Sequence, residues 1–196
     1  MIKRPEACGK IAIRVGMGFL KHLIYHLCNV MKNKSFMFRE LRRIKQKLPL
    51  DACVQILTSC PTAILSVHGD DDYPYGIPIN YVYHQGKIYL HGAKSGHKIE
   101  AIRRNPKVSL TVIEQDRVDA DTLSTHYRSV ILFGTCRVLE EEKEIHEAAK
   151  LFGLKYNPSE EAVEKEIQRE WPALACFEIQ VDHISGKQSK DFLAQD

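Results

Sequence analysis

Apolar and polar residues alternate with a period of two over 62–67 (TAILSV), 75–84 (YGIPINYVYH) and 87–91 (KIYLH). That alternation is the mark of strands with one buried face. Further strands are predicted over 107–114, 127–140 and 174–184, with an irregular stretch from 115 to about 125. A helical period replaces the alternation elsewhere. Residues 38–48 (FRELRRIKQKL) read as a short basic helix. A second helix starts at Pro49 and Asp51, with Val54, Leu57 and Cys53 inward. Ile99 and Ile102 mark a third, which Pro106 stops. Ile145, Ala148, Ala149 and Phe152 share one face of a fourth, over roughly 141–152. A fifth opens with Asn157 as N-cap, Pro158 in the first turn and Glu160 behind it. Consecutive strand pairs with helices outside them predict a mainly β fold, an antiparallel barrel rather than a doubly wound parallel sheet. Pro78 inside a strand pattern calls for an edge, a bulge or a face that lines a ligand.

The 196 residues suffice for one domain with a real core, and 44% hydrophobic with 27% charged residues is a globular composition. Charge is unevenly placed. Residues 1–48 carry a net +10 and the remainder a net −7, so nucleic-acid binding by the main body is not expected. Six cysteines form no C-x-x-C pair, which suits reduced thiols in the cytoplasm and neither a disulfide scaffold nor a metal site. Residues 1–36 read as a basic extension ahead of a domain over 37–196. Arg14, Lys21, His22 and His26 interrupt its apolar run, and a span needs about 20 residues largely free of charge, so stable membrane insertion is not expected. A surface anchor, a targeting segment and a non-native start with Met37 as the true beginning all remain open for it. His22 and His26 share a helical face, but two ligands do not make a metal site.

The most informative segment is 87–108, KIYLHGAKSGHKIEAIRRNPKV. It runs from strand to helix through Gly92, Lys94, Ser95, Gly96, His97 and Lys98. A turn that feeds a helix N-terminus collects unpaired N–H groups and the positive end of the helix dipole. Lysines and a hydroxyl added there suit a dianion such as a phosphate, and the glycines allow close backbone approach. An ordinary glycine turn with solvated lysines is the competing reading. Neither a P-loop nor a G-x-G-x-x-G pattern is present.

Three segments, PYGIPINYVYHQGKIYLHGAKSGHK, YRSVILFGTCRVLEEEKE and VDHISGK, resemble the pyridoxamine 5′-phosphate oxidase-related flavoproteins of the nitroimidazole-resistance type. The resemblance spans about residues 39–187. It implies an FMN-binding split β-barrel, six-stranded, antiparallel and Greek-key-like, working as a homodimer with flavin at the subunit interface. By that resemblance Lys94, Ser95, His97 and Lys98, with Gly92, would hold the FMN phosphate. Ile77, Pro78, Ile79, Asn80 and Tyr81 would pass along the isoalloxazine. Arg128 and Ser129 would approach the flavin, with Ser standing where the oxidases carry Gln. His91 would sit beside the ring as the catalytic histidine; a packing role at the loop base is its alternative. The implied activity passes electrons from a reduced donor through FMN to a small acceptor, such as a nitro-aromatic compound. The C-terminal Trp and Arg pattern of the true oxidases is missing, which argues against vitamin B6 synthesis. A flavin-binding sensor or carrier without turnover, or a split barrel for haem or a deazaflavin, are the rival readings.

Overall fold

A computed structural model describes residues 38–194. The expected basic extension, with His22 and His26, lies outside the described residues. From Arg43 onward the chain gathers into one compact unit. Its strands are β1 (Lys47–Leu48), β2 (Thr62–His68), β3 (Pro74–Asn80), β4 (Val82–His84), β5 (Lys87–Ala93), β6 (Lys107–Asp119), β7 (Ser124–Val138) and β8 (Leu174–Gln188). The helices are α1 (Leu50–Ser59), α2 (His97–Arg104), α3 (Glu142–Tyr156) and α4 (Glu160–Glu170).

All pairings are antiparallel, in the order β3-β2-β6-β7-β8-β5-β4, with β1 also on β8. The end strands β3 and β4 do not pair with each other, so the sheet curls without closing. That is the split barrel expected from the sequence. Six strands are long, as foreseen, and β1 and β4 add two short ones. Pro78 sits on end strand β3, opposite Ile64 of β2, where its missing N–H costs the sheet nothing.

Alternation decides what each strand buries. Leu65, Leu110, Val130, Leu132, Phe177 and Ile179 point inward to the main core, under α1 and α2. A smaller core forms on the other side of β8, where Cys176 meets Leu139 and the α3 and α4 residues Ala148, Ala149, Val163 and Ile167. β8 thus feeds two cores from alternate residues. Cys136 and Cys176 are buried, and burial pushes their thiols up to about 12 and about 11.

Several local expectations are corrected. The basic segment 38–48 is not an α-helix. Ile44–Gln46 form one 3₁₀ turn, and Lys47–Leu48 pair with Lys187 and Gly186. Pro49 disfavours a helical Leu48, and Leu48 is buried against the sheet. The 75–84 strand breaks at Tyr81, which is fully buried between β3 and β4. Residues 115–119, expected to be irregular, continue β6 past a bulge at Glu114. Ser159 rather than Asn157 caps α4, accepting from Ala162 N–H at 3.3 Å, while the Asn157 side chain accepts from Ser159 N–H at 3.0 Å. Val54 is only half-buried and Ile56 takes the inward place beside Cys53 and Leu57.

Glu178 is the one buried carboxylate of the described sheet. Lys87 Nζ donates to it at 2.9 Å, Arg137 Nε at 3.0 Å and Tyr89 Oη at 3.2 Å. Burial pushes its pKa up, but the hydrogen bonds from Lys87 and Arg137 outweigh this and hold it below the usual range. A depressed carboxylate stabilises the fold above its unfolded pKa and loses that contribution as pH falls through the folded value. Urea stability of the wild type should therefore fall more steeply than that of Glu178→Gln between about pH 5 and pH 3.

Candidate functional site

The strand-loop-helix segment folds as its sequence foretells. β5 ends at Ala93, and Gly96 takes φ +126°, which a side chain would strain, to start α2. Gly96 O accepts from the N–H groups of Ile99 at 3.0 Å and Glu100 at 3.2 Å, and Ile99 and Ile102 anchor the helix in the main core. Lys94 and Ser95 are exposed on the loop. Lys98 is half-buried, with Nζ 5.6 Å from the centre of the Phe177 ring. A Cβ on Gly92 would lie 3.0 Å from that ammonium, so a larger residue there would crowd the cation's seat. Burial lowers the Lys98 pKa. Among the described residues Lys98 has no ion pair and no hydrogen bond. A partly desolvated cation without a counter-ion, at a helix N-terminus, is a place prepared for an anion.

His97 is committed elsewhere. Its ring stacks on Tyr75 at 4.3 Å and 12°, and Nε2 lies 3.3 Å from Asp70, which also pairs with Arg104. This clasp ties α2 to the turn at Asp70–Asp72.

His91 leaves β5 on the opposite face from Gly92, toward α3, and its ring meets the Phe152 ring edge-on at 4.2 Å. Thus His91 and Lys98 flank the end of β5 from its two sides. Burial lowers the His91 pKa first, and the charge of Lys98 lowers it further. The ring is therefore neutral at pH 7. Because the folded pKa is below the unfolded one, the contribution to stability is complete above about pH 6.5 and declines below it. Lys98→Ala removes the second cause, so an NMR titration of the His91 ring should show its pKa moving up toward the ordinary value. No movement would disconnect the two groups.

The remaining candidates divide by sheet face. Pro78, Ile64, Thr111, Ile131 and Ser185 form one row across β3, β2, β6, β7 and β8 on the outer face. Asn80 and Ser129 belong to that same face. Ile77 and Ile79 point inward and pack on the core. Tyr81 is fully buried, beneath the Lys155 ammonium at 4.1 Å. Arg128 points opposite to its neighbour Ser129 and pairs with Glu114 at 3.0 Å. The structure therefore groups Gly92, Lys94, Ser95 and Lys98 at the loop, and sets Pro78 and Asn80 on β3 and Ser129 on β7 on one outer face, with β2 and β6 between them. It does not bring Ile77, Ile79, Tyr81 or Arg128 to an open surface beside them.

A cavity of about 860 Å³ opens beside His91. Phe152 and Tyr156 of α3 and Ala162, Val163 and Ile167 of α4 line it, with Asn80 and Asn157. Tyr156 Oη donates to Pro61 O at 2.7 Å and lies 3.0 Å from Tyr81 O, and Lys155 Nζ donates to Cys60 O at 2.8 Å and Tyr81 O at 3.0 Å. These bonds fasten α3 to the break between β3 and β4. Sequence reasoning missed this wall. Its one signal is the aromatic pair Phe152 and Tyr156, four apart and so on one face of a helix.

Comparison with known proteins fits this geometry. Residues 49–188 match a family model described as pyridoxamine 5′-phosphate oxidase. No curated protein matches the sequence. Among solved structures, a 5-nitroimidazole antibiotic resistance protein from Bacteroides thetaiotaomicron is similar, at TM-score 0.59 and 21% identity over 72% of this chain and 85% of that one. The conserved hypothetical protein Rv2991 from Mycobacterium tuberculosis is similar at 0.68 and 18%, over 78% and 92%. The FAD and heme binding protein from Mycobacterium smegmatis is similar at 0.62 and 20%, over 74% of each chain. At these identities the likeness is one of fold.

Proposed function

The chain belongs to the pyridoxamine 5′-phosphate oxidase family, and from that premise we propose that it is an FMN-dependent oxidoreductase. The observation that carries the reading is Lys98, a half-buried ammonium with no anionic partner among the described residues, seated over Phe177 against Gly92. The loop fits a terminal phosphate. Lys94, Ser95, Lys98 and the first N–H groups of α2 would hold it, while His97 keeps the loop in place through Tyr75 and Asp70. A monoester phosphate at the end of a chain suits this loop, which favours FMN over FAD. Pro78, Asn80 and Ser129 lie on an outer sheet face whose exposed Ile64, Ile113 and Ile131 offer a flat ring an apolar surface. When bound, the flavin supplies two-electron transfer between a reduced nicotinamide and an acceptor. His91, neutral and exposed at the edge of the cavity, presents one N–H and one lone pair there, where it can move a proton without bringing a charge.

A nitro-aromatic acceptor agrees with the reading, since one structure of similar fold bears the name of a nitroimidazole resistance protein. Two electrons and two protons convert a nitro group to a nitroso group and water. The buried thiols suit the cytoplasm. The test is anaerobic bleaching of the FMN-loaded protein by NADH or NADPH, then recovery of colour on adding a nitro compound. Bleaching without recovery leaves a flavin binder that lacks this acceptor; no bleaching by either donor contradicts the oxidoreductase.

A homodimer belongs to the same proposal. Ile64, Ile113 and Ile131 are 37%, 55% and 39% exposed on the outer sheet face beside Pro78 and Ser129. A second copy placed by a two-fold axis would cover them and the flavin together. Ile131→Glu should convert the dimer to a monomer in light scattering and weaken FMN retention. A wild-type monomer that keeps FMN would contradict this.

A further inference from the structure

The cavity beside His91 borders the phosphate loop through Gly92 and Ala93, but its other walls come from α3 and α4 and differ from the loop in character. We propose that it is the binding site of a flat aromatic molecule that is uncharged or cationic, and that α3 and α4 set its specificity. Under the proposed function, on which this last identification rests, that molecule is the electron acceptor. Three observations carry the inference. First, one wall is aromatic: His91 and Phe152 meet at 4.2 Å, and Phe152 and Tyr156 at 5.2 Å, a surface on which a planar ring can stack. Second, the mouth is acidic. Among the lining residues the charged ones are Glu166, Arg169 and Glu170. Arg169 is already held by Glu166 and by Glu170 at 3.1 Å, so one negative charge is left over. Lys94 and Lys98 are not among the lining residues. Third, the cavity is preformed. A Cβ on Gly153 would strike Val163 at 2.5 Å, so α3 and α4 meet there at close range, and Lys155 and Tyr156 fasten the far end of α3. A pocket that is open before binding spares the ligand the cost of making it.

The charge pattern separates this site from the loop. The loop is cationic, whereas the charged residues lining the cavity leave one negative charge in excess. A single ring with three charge states is therefore a direct probe. Benzamidine, benzamide and benzoate would be titrated against the full chain, following the fluorescence of Trp171, the only tryptophan, which directly follows Glu170. Benzamide and benzamidine are expected to bind. Benzoate should bind about tenfold more weakly than benzamidine, since unlike and like unit charges at a wet rim differ by about 1–2 kcal/mol. Glu166→Gln with Glu170→Gln should narrow that ratio. Ala162 is exposed at the cavity edge, so Ala162→Phe can fill the space without disturbing a core, and it should weaken benzamide and benzamidine alike.

FMN titration of the same variants keeps the two readings apart. FMN affinity is expected to be unchanged in Ala162→Phe. If that variant loses FMN as strongly as benzamidine, the cavity is the flavin's own seat and the inference falls while the oxidoreductase stands. If FMN binds none of the proteins but the probes behave as described, the proposed function falls and the aromatic site stands. Equal binding of benzoate and benzamidine, no binding of any probe, or probe affinity untouched by Ala162→Phe would overturn the inference.

Discussion

Lys98→Ala is expected to weaken FMN binding about ten- to a hundredfold while leaving riboflavin binding nearly unchanged. The size follows from a charge-assisted hydrogen bond, worth roughly 1.5–3 kcal/mol, at about 1.4 kcal/mol per tenfold in affinity. The selectivity follows from chemistry, because riboflavin lacks the phosphate. The place of Lys98 makes the effect larger than at Lys94. Lys98 is half-buried over Phe177 and its ammonium has no partner among the described residues, so a bound phosphate is screened little by water. Lys94 is exposed, and its alanine variant should move the same way by less. His91→Ala should leave FMN affinity nearly intact and alter turnover, because His91 leaves β5 on the other face. Flavin-fluorescence titrations with both ligands separate these cases. Equal loss of FMN and riboflavin in Lys98→Ala would mean that the loop does not read a phosphate.

Phe177→Ala should produce the largest loss of stability, about 3–5 kcal/mol for a fully buried phenylalanine. Phe177 is 0% exposed, pairs with Leu90 across β5 and with Val138 across β7, and forms the floor beneath Lys98. At about 2–4 °C per kcal/mol for a chain of this length, Tm should fall by roughly 6–20 °C. The same variant removes the surface that holds the Lys98 ammonium at Gly92, so FMN affinity should fall even where the protein remains folded. Calorimetry at fixed protein concentration checks the first effect, and FMN titration at low temperature the second. A loss of less than about 1 kcal/mol would show that the core collapses easily around the gap.

Local chemistry made much of this legible in the sequence. The strand ending at His91, the glycine turn and the helix with Ile99 and Ile102 inward are each specified by neighbouring residues, and all three stand where expected. The missing N–H of Pro78 left an edge, a bulge or a ligand-lining face open, and the structure selects the first, an end strand. What could not be read depends on distant partners. The segment 38–48 has a helical composition, yet Leu48 is drawn onto β8 by pairing with Gly186. Tyr81 looked like a strand tyrosine able to face a ligand; packing from Lys155 and Tyr156 of α3 places it in the core. His97 looked like a phosphate ligand until Asp70 and Tyr75, more than twenty residues earlier, claimed its ring. The cavity requires α3 and α4 to fold back over the end of β5, and no local pattern announces that return.

The most direct test of the proposed phosphate loop and flavin is to identify any small molecule that co-purifies with the chain. After native purification, its absorption spectrum and the mass of the released ligand identify it together. The expected result is a flavin spectrum, with bands in the blue and near-ultraviolet, and the mass of FMN. A Soret band without flavin, or a colourless protein that fails to take up added FMN, would contradict the assignment.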